Sequence, residues 1–279
     1  MFERISRGID LTRQSLGVLR EEKTLLVFPL FSGIACLLVL ASFAVPLWAT
    51  GYAESVLGDG KLPQDPLAYV LLFLFYFVNY FVVVFFNSAL ISCAIIRFHG
   101  GDATLRDGLS AAMARLPQIA GWALVSATVG VILKAIESRS EKVGQIAAGL
   151  LGAAWTIATY FVVPVLVVEG VGPVTAVKRS FAVLRKTWGE SLVANFSVGL
   201  VVFLASLVAL LPALVGIVLA SKVAIIVGFA ITVLALIVIS LVSTALHAII
   251  VAALYLYAAK GEVPRQFDER LLKGAYSPK

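Results

Sequence analysis

The sequence predicts an all-α integral membrane protein with six transmembrane helices, and two observations support this fold class. First, 61% of the residues are hydrophobic and 14% are charged, whereas soluble domains carry roughly 25% charged residues. Second, six long stretches contain no Asp, Glu, Lys or Arg, and about 20 apolar residues suffice for a helix to cross a bilayer. The stretches are 25–48, 67–96, 116–133, 143–168, 191–221 and 223–259. Their length excludes barrel strands, so each is expected to be a helix.

The segments outside these stretches predict helices that lie on the membrane surface. Residues 1–24 form an amphipathic N-terminal helix, residues 25–259 the six-helix transmembrane domain, and residues 260–279 a tail. Within the transmembrane domain we expect interfacial helices near 102–116 and 173–188, the latter beginning at Pro173 and ending before Gly189. The apolar residues at helical spacing are Phe2, Ile5, Ile9, Leu16 and Leu19 in the first helix, Leu105, Leu109, Ala112 and Leu116 in the second, and Val174, Val177, Phe181, Leu184 and Trp188 in the third.

The distribution of basic residues predicts the orientation. Seventeen of the 22 Lys and Arg residues lie in 1–24, in the loops before the third and fifth spans, and in 260–279, while five lie in the other loops. Because loops rich in Lys and Arg stay in the cytoplasm, both termini are expected there.

Two short stretches predict an internal repeat. SLGVLR at 15–20 matches SFAVLR at 180–185, and both precede a span that starts on the same side. We expect three parallel units, each an interfacial elbow helix followed by a two-span hairpin. Chance similarity between apolar-rich segments is the alternative explanation.

Polar residues inside the spans are candidates for a ligand-binding cavity. They are Asn79, Asn87, Thr156, Tyr160, Ser240, Thr244 and His247. They either hydrogen-bond across helices and hold the bundle together or line a polar cavity, with His247 as its pH-sensitive member. No span contains Asp, Glu, Lys or Arg, which disfavours proton relays. We predict no catalytic residue, no metal site and no cofactor.

The third elbow is a candidate site for anionic lipid head groups. Its basic residues are Lys178, Arg179, Arg185 and Lys186, and such clusters beside spans attract acidic lipids when they are more than topology signals. Glu169 is expected to pair with Lys178 or Lys186. The expected partners are therefore the bilayer and anionic phospholipids, and nucleic acid is disfavoured because no recognition module is present.

Two ridges of small residues predict close helix packing, against other spans or against a second copy in a homo-oligomer. They are Gly144, Ala148 and Gly152, and Ala205, Ala209 and Ala213.

Four stretches resemble an uncharacterised family of six-span prokaryotic membrane proteins. They are RGIDLTRQSLGVLREEKTLLVFPLFSG, FFNSALISCAIIRFHGGDATLRDGL, GAAWTIATYFVVPVLVVEG and GPVTAVKRSFAVLRKTWGE. The Pro-x-x-Ala-x-x-x-Ser run before the third elbow is more loosely similar to the membrane domain of some glycerophosphodiester phosphodiesterases. The resemblance implies a prokaryotic cytoplasmic (inner) membrane location and no known activity, and the catalytic domain of the phosphodiesterases has no counterpart here.

Two functions fit these features. The first is a non-enzymatic protein that transports or handles lipids and other amphiphiles through a polar bundle interior. The alternative is a membrane scaffold or assembly protein that organises partners or the bilayer without transport.

The predicted orientation can be tested with single cysteines at Asp59 and Gly101 in a variant that lacks Cys36 and Cys93. An impermeant thiol reagent applied to intact cells should label the cysteine at position 59 and leave position 101 unlabelled, because the two loops lie on opposite sides. Labelling of position 101 from outside would contradict the orientation.

Overall fold

Helices account for the regular structure throughout the described part of the chain. The computed structural model describes the backbone of residues 2–52, 66–139, 143–219, 221–268 and 271, and the side chains of these residues except 2–7, 138–139, 143 and 186–197. The helices are α1 (Phe2–Glu21), α2 (Val27–Ala49), α3 (Pro66–Phe98), α4 (Leu105–Met113), α5 (Leu116–Arg139), α6 (Val143–Ala158), α7 (Val162–Glu169), α8 (Pro173–Ala209), α9 (Leu211–Val218) and α10 (Lys222–Tyr255). A 3₁₀ helix, Lys23–Leu26, precedes α2, and a π-helical turn, Leu256–Lys260, follows α10.

Within the described residues, six helical segments are long and apolar enough to cross a bilayer. They are Lys23–Ala49, Pro66–Phe98, Leu116–Glu137, Gly144–Glu169, Val198–Val218 and Lys222–Lys260. Large apolar side chains cover their outer surfaces, and Trp48 of α2 is 79% exposed. Soluble monomers rarely expose contiguous apolar surface of this kind, whereas hydrocarbon solvates it. The prediction of a six-span, all-helical membrane protein is confirmed at this level.

The chain forms two compact units, and the first comprises Met1–Pro29, Ala94–Ala103 and Lys186–Lys279. In this unit α1 packs against α10. The packing face of α1 differs from the predicted apolar stripe, because Ile9 is 45% exposed while Thr12 and Ser15 are buried. Their hydroxyls donate to Gly8 O and Leu11 O at 2.8 Å. Since each hydroxyl is satisfied within its own helix, this face can be buried at little cost.

Polar contacts join three distant segments of the first unit at one end of its helices. Arg97 lies 2.9 Å from Glu21, and His99 lies 3.2 Å from Glu262. The Gln266 amide donates to the Arg97 carbonyl oxygen at 3.0 Å. The end of α1, the end of α3 and the C-terminal segment therefore touch one another within this unit.

The helices α9 and α10 form a hairpin in which the two backbones almost touch. A Cβ atom added at Gly216 would lie 2.5 Å from the Ala224 carbonyl oxygen, and one added at Gly228 would collide with the Pro212 carbonyl oxygen. Small residues at membrane helix interfaces allow such close approach. Ala209 and Ala213 of the predicted ridge are also buried.

The fifth candidate span is broken at Leu210, and Pro212 explains the break. Proline has no N–H and its ring disturbs the preceding helical turn. The Ala213 amide, one residue later, donates instead to the Thr232 hydroxyl of α10 at 3.2 Å. A side chain of the neighbouring helix therefore satisfies a backbone group that the break has released.

The second unit comprises Leu30–Cys93 and Thr104–Arg185. The helices α5 and α6 pack against each other in it, and Trp122 stacks on Trp155 with ring centroids 5.6 Å apart. A Cβ added at Gly152 would lie 3.7 Å from the Leu133 side chain. The ridge that contains Gly152 thus faces another span of the same chain.

A capping box starts α4, close to the predicted position of the second interfacial helix. Thr104 accepts from the Asp107 amide at 3.2 Å, and the Asp107 carboxylate accepts from the Thr104 amide at 3.0 Å. Hydrogen bonds from the Thr104 hydroxyl and amide hold the pKa of Asp107 below its usual value. The Cys93 thiol of α3 donates to the Thr104 carbonyl oxygen at 3.4 Å, which ties the start of this helix to the second span.

The third elbow does not end before Gly189 as predicted. Residues 173–188 belong to α8, which continues without interruption to Ala209. A glycine in a helix interior costs only about 1 kcal/mol, which is too little to stop a helix that continues into an apolar span. Side chains at 186–197, including those of Lys186 and Trp188, lie outside the described ones.

The α9–α10 hairpin can be tested by a pair of glycine substitutions. Gly228→Ala should destabilise the protein by about 1 to 3 kcal/mol, because the added methyl group forces two backbones apart. Gly199→Ala in α8, where nothing lies within 4 Å of the new Cβ, should be neutral or slightly stabilising, since alanine favours helix more than glycine does.

Thermal melting in detergent measures both changes. Equal melting temperatures for the two variants would contradict the close approach.

Candidate functional site

The fourth candidate span is interrupted between two helices, and this break is the centre of the candidate site. Helix α6 ends at Ala158 and α7 begins at Val162. Between them the backbone hydrogen bonds connect residues three apart instead of four. The Val162 amide, for example, donates to the Thr159 carbonyl oxygen at 3.0 Å. Pro164 accounts for the break, because its ring cannot coexist with a helical carbonyl four residues earlier, at Tyr160.

One serine on α8 closes the break. The tighter turn leaves the Phe161 amide and the Ala158 carbonyl without partners in their own helices. The Ser180 hydroxyl accepts from the Phe161 amide at 3.0 Å and donates to the Ala158 carbonyl oxygen at 2.7 Å. Ser180 is fully buried. A single hydroxyl thus satisfies two backbone groups that would otherwise face hydrocarbon.

The end of α7 is held by two side chains of the segment that begins the third span. Gly170 ends α7 with φ +65°, a left-handed conformation suited to glycine. Arg115 Nε donates to the Val167 carbonyl oxygen at 3.2 Å, and Gln118 Nε2 donates to the Gly170 carbonyl oxygen at 3.2 Å. A cation here also interacts favourably with the helix dipole.

The start of α8 is fixed against the same region. A Cβ added at Gly121 would lie 3.0 Å from the Pro173 ring, so α5 and the first residue of α8 are in contact. Arg179 Nε donates to Glu169 at 3.0 Å. The predicted pairing of Glu169 with Lys178 or Lys186 is therefore wrong for Lys178: Arg179 takes this position, and the Lys186 side chain is not described.

Three of the four basic residues predicted for the third elbow are exposed, and the side chain of Lys186 is not described. Lys178, Arg179 and Arg185 are exposed. Phe181 and Val174, on the same helix, are also exposed. The buried face of the elbow instead carries Ala176, Ser180, Val183 and Leu184. The exposed face of this segment therefore combines cations with large apolar side chains.

Three of the polar cavity candidates are satisfied within their own helices. Asn79 donates to Phe75 O at 2.9 Å, Thr156 to Gly152 O at 2.9 Å, and Thr244 to Ser240 O at 2.9 Å. These bonds need no cavity, so the predicted polar cavity stays a prediction.

The remaining candidates for the polar cavity lie in different environments from one another. Asn87 carries a buried side-chain oxygen without a hydrogen-bond partner among the described residues. The Tyr160 ring meets that of Phe161 edge-on, with centroids 4.8 Å apart. Ser240 is exposed and His247 is half-buried, both on α10 in the first unit.

Sequence reasoning missed Ser180, Arg115 and Gln118 as site residues. Pro164 inside an apolar span is a signal of the break, and the Gly170-Val171-Gly172-Pro173 run is a signal of a fixed turn. Neither signal names the side chains that satisfy the broken backbone, because these come from other helices.

Comparison with known families gives one match. Residues 67–264, more than half of the chain, match the model of a family of unknown function (DUF6159). A search of curated proteins gives no match.

The role of Ser180 can be tested by its replacement with alanine. Ser180→Ala leaves a buried amide and a buried carbonyl unpaired, which should cost about 1 to 3 kcal/mol of stability for each of the two groups. Ser206→Ala is the matched control, because the Ser206 hydroxyl only donates within α8, to the Val202 carbonyl oxygen at 2.8 Å, and its loss should be nearly neutral.

Melting in detergent compares the two variants. A melting temperature for Ser180→Ala equal to that of Ser206→Ala would show that the break does not depend on this hydroxyl.

Proposed function

Because the chain belongs to this family of unknown function, whose description assigns no activity, we propose from the site alone that the protein binds and handles anionic lipids at the membrane surface. The third elbow and the end of the fourth span provide the binding surface, and no chemical step is involved. The observation that carries the proposal is the exposed face of the elbow, where cations stand beside large apolar side chains.

The charge balance of the elbow supports a lipid partner. Arg179 is neutralised by Glu169, whereas Lys178 and Arg185 have no acidic partner among the described residues. Basic residues at the cytoplasmic surface attract acidic lipids with about 1 kcal/mol each. The neighbouring Phe181 and Val174 supply apolar surface for the acyl region. This combination selects anionic amphiphiles.

The burial pattern of the two repeat stretches supports three elbow-plus-hairpin units. Ser15 and Ser180 occupy matching positions and are both fully buried. The next matched pairs, Val18 with Val183 and Leu19 with Leu184, are also buried. The final arginines, Arg20 and Arg185, are exposed in both. In each stretch the serine and the two apolar residues that follow it on the same helix face are buried, so the two stretches pack through the same positions.

The proposed location is the cytoplasmic membrane of a prokaryote, with both termini in the cytoplasm. The excess of Lys and Arg on one side supports this orientation. The loose similarity to the membrane domain of glycerophosphodiester phosphodiesterases is compatible with a lipid environment and assigns no reaction to this chain.

A membrane scaffold is the second candidate function. It is favoured by the bonds of Asn79, Thr156 and Thr244 within their own helices, because side chains satisfied in this way do not require a ligand. The ridges around Gly152 and Ala213 pack within the chain, so a homo-oligomeric scaffold would need another surface.

Lipid-dependent melting tests the proposal. Phosphatidylglycerol added to the purified full-length protein in detergent should raise the melting temperature more than phosphatidylcholine does, since a ligand that binds only the folded state stabilises it. The double variant Lys178→Gln, Arg185→Gln should lose about 1 kcal/mol of this stabilisation for each charge removed.

The control is Lys222→Gln, an exposed lysine at the start of α10, on the predicted outer side. It should keep the full effect of phosphatidylglycerol. An unchanged lipid effect in the double variant would contradict the proposed function and favour the scaffold.

A further inference from the structure

Arg115 is a half-buried cation held in a fixed orientation. Its Nε atom is bonded to the Val167 carbonyl oxygen at 3.2 Å. Its guanidinium lies against Gly170, so closely that a Cβ at Gly170 would lie 2.5 Å from Nη1, 2.8 Å from Cζ and 3.1 Å from Nη2. The glycine is therefore necessary for this placement. Because the guanidinium is planar and already fixed, both Nη atoms can donate to one ligand with little further loss of side-chain conformational entropy.

The charge of Arg115 is not balanced within the described residues. A guanidinium has five N–H donors, and one of them is used in the bond to Val167. No described carboxylate lies within ion-pair distance of Arg115, and the adjacent Glu169 is bound by Arg179. A partly desolvated cation without an anion is unfavourable. The four remaining donors on Nη1 and Nη2 suit a bidentate anion.

Gln118, one helical turn after Arg115, presents the complementary group. Its Nε2 atom donates to the Gly170 carbonyl oxygen at 3.2 Å, which fixes the amide. Its Oε1 atom is buried and has no donor among the described residues. Buried acceptors normally have partners, so this oxygen requires an N–H or O–H group. Beside Gly170, Arg115 therefore lacks an anion, and Gln118 lacks a hydrogen-bond donor for its Oε1 atom.

We infer that Arg115 and Gln118 form a binding site for a phosphate diester that carries a neighbouring hydroxyl or ammonium group. The phosphate would accept from both Nη atoms of Arg115, and the hydroxyl or ammonium group would donate to Gln118 Oε1. Phospholipid head groups combine these two features. The site lies where lipid phosphates are found, because Arg115 directly precedes Leu116, at which the third candidate span begins.

This inference rests on the proposed function and deepens it, since it assigns the head group to a particular pair of residues. Lys178 and Arg185 would gather anionic lipids at the surface, while Arg115 and Gln118 would hold one head group specifically. The same phosphate chemistry could also come from soluble phosphate, and the experiment must separate the two sources.

The test is a titration of the purified full-length protein with phosphatidylglycerol in detergent, with bound lipid counted by native mass spectrometry. Arg115→Gln should weaken phosphatidylglycerol binding about tenfold or more, because hydrogen bonds to charged groups contribute more than neutral ones. Arg115→Lys keeps the charge but not the fork, and should lie between wild type and Arg115→Gln. Arg106→Gln, an exposed arginine in α4, is the matched control and should bind as wild type does.

Arg115 also caps α7, so Arg115→Gln could fail to fold. In that case Arg115→Lys decides alone, since a lysine still donates to Val167, and wild-type affinity in this variant would overturn the inference. Millimolar inorganic phosphate is the second probe. Failure of phosphate to displace the lipid supports a lipid head group, and displacement that is lost in Arg115→Lys supports the site with soluble phosphate as its occupant.

The double variant Lys178→Gln, Arg185→Gln separates this inference from the proposed function. Reduced binding in the double variant together with unchanged binding in Arg115→Gln and Arg115→Lys overturns the inference and leaves the proposed function intact. Absence of any preference of wild type for phosphatidylglycerol over phosphatidylcholine overturns the proposed function itself.

Discussion

Inside a bilayer, a backbone group that loses its helical hydrogen bond has no water to bond to. The candidate site depends on the side-chain hydrogen bonds that satisfy such groups at residues 159–161. The tight turn releases the Phe161 amide and the Ala158 carbonyl, and the Ser180 hydroxyl bonds to both. Each of these buried groups would cost about 1 to 3 kcal/mol if it had no partner. The break in the fourth span and the position of α8 are therefore fixed by the same two hydrogen bonds.

The geometry of the site follows from this attachment. With Ser180 at the break, the first turns of α8 lie beside α7, where Arg179 can reach Glu169. The end of α7 then meets the start of α5, and Arg115 and Gln118 bond to its last carbonyl groups. Lys178, Arg185 and Phe181 of α8 are consequently exposed.

A helix break in the first unit is also satisfied by a hydroxyl group from another helix. Pro212 breaks the fifth span, and the Thr232 hydroxyl of α10 accepts from the released Ala213 amide. Both breaks combine a proline with a hydroxyl from a helix later in the chain. Discontinuous membrane helices are tolerated where neighbouring side chains satisfy the freed backbone, and at these two positions a serine and a threonine do so.

The sequence predicted that the chain is a membrane protein, and it placed the span boundaries close to the observed ones. Both predictions follow from long stretches that contain no Asp, Glu, Lys or Arg. The helix predicted at 173–188 does begin at Pro173, but its predicted end was wrong, since the single Gly189 does not stop a helix that continues into apolar sequence. The apolar stripes of α1 and of residues 173–188 were described from the sequence with no packing face assigned, and Ser15 and Ser180 were not identified as buried. The reason is physical: a serine satisfied by a backbone carbonyl packs as a small residue, and apolarity alone does not identify it.

The site residues were harder to predict than the fold because their roles arise from contacts between helices. Pro164 and Gly170 mark the break and the end of α7 in the sequence, but nothing local assigns Ser180 to the first or Arg115 to the second. The predicted pairing of Glu169 shows the same limitation, since Lys178 and Arg179 differ by one position and only the helix rotation selects between them.

The central claim is that the end of the fourth span, held by Ser180 and Arg115, binds a lipid head group. The most direct measurement is a cryo-electron microscopy structure of the protein in nanodiscs that contain phosphatidylglycerol. The account predicts a phosphate within hydrogen-bond distance of Arg115 Nη1 and Nη2, beside a fourth span that is interrupted at 159–161. Ordered lipid elsewhere on the surface, with Arg115 instead paired to a carboxylate of the chain, would contradict it.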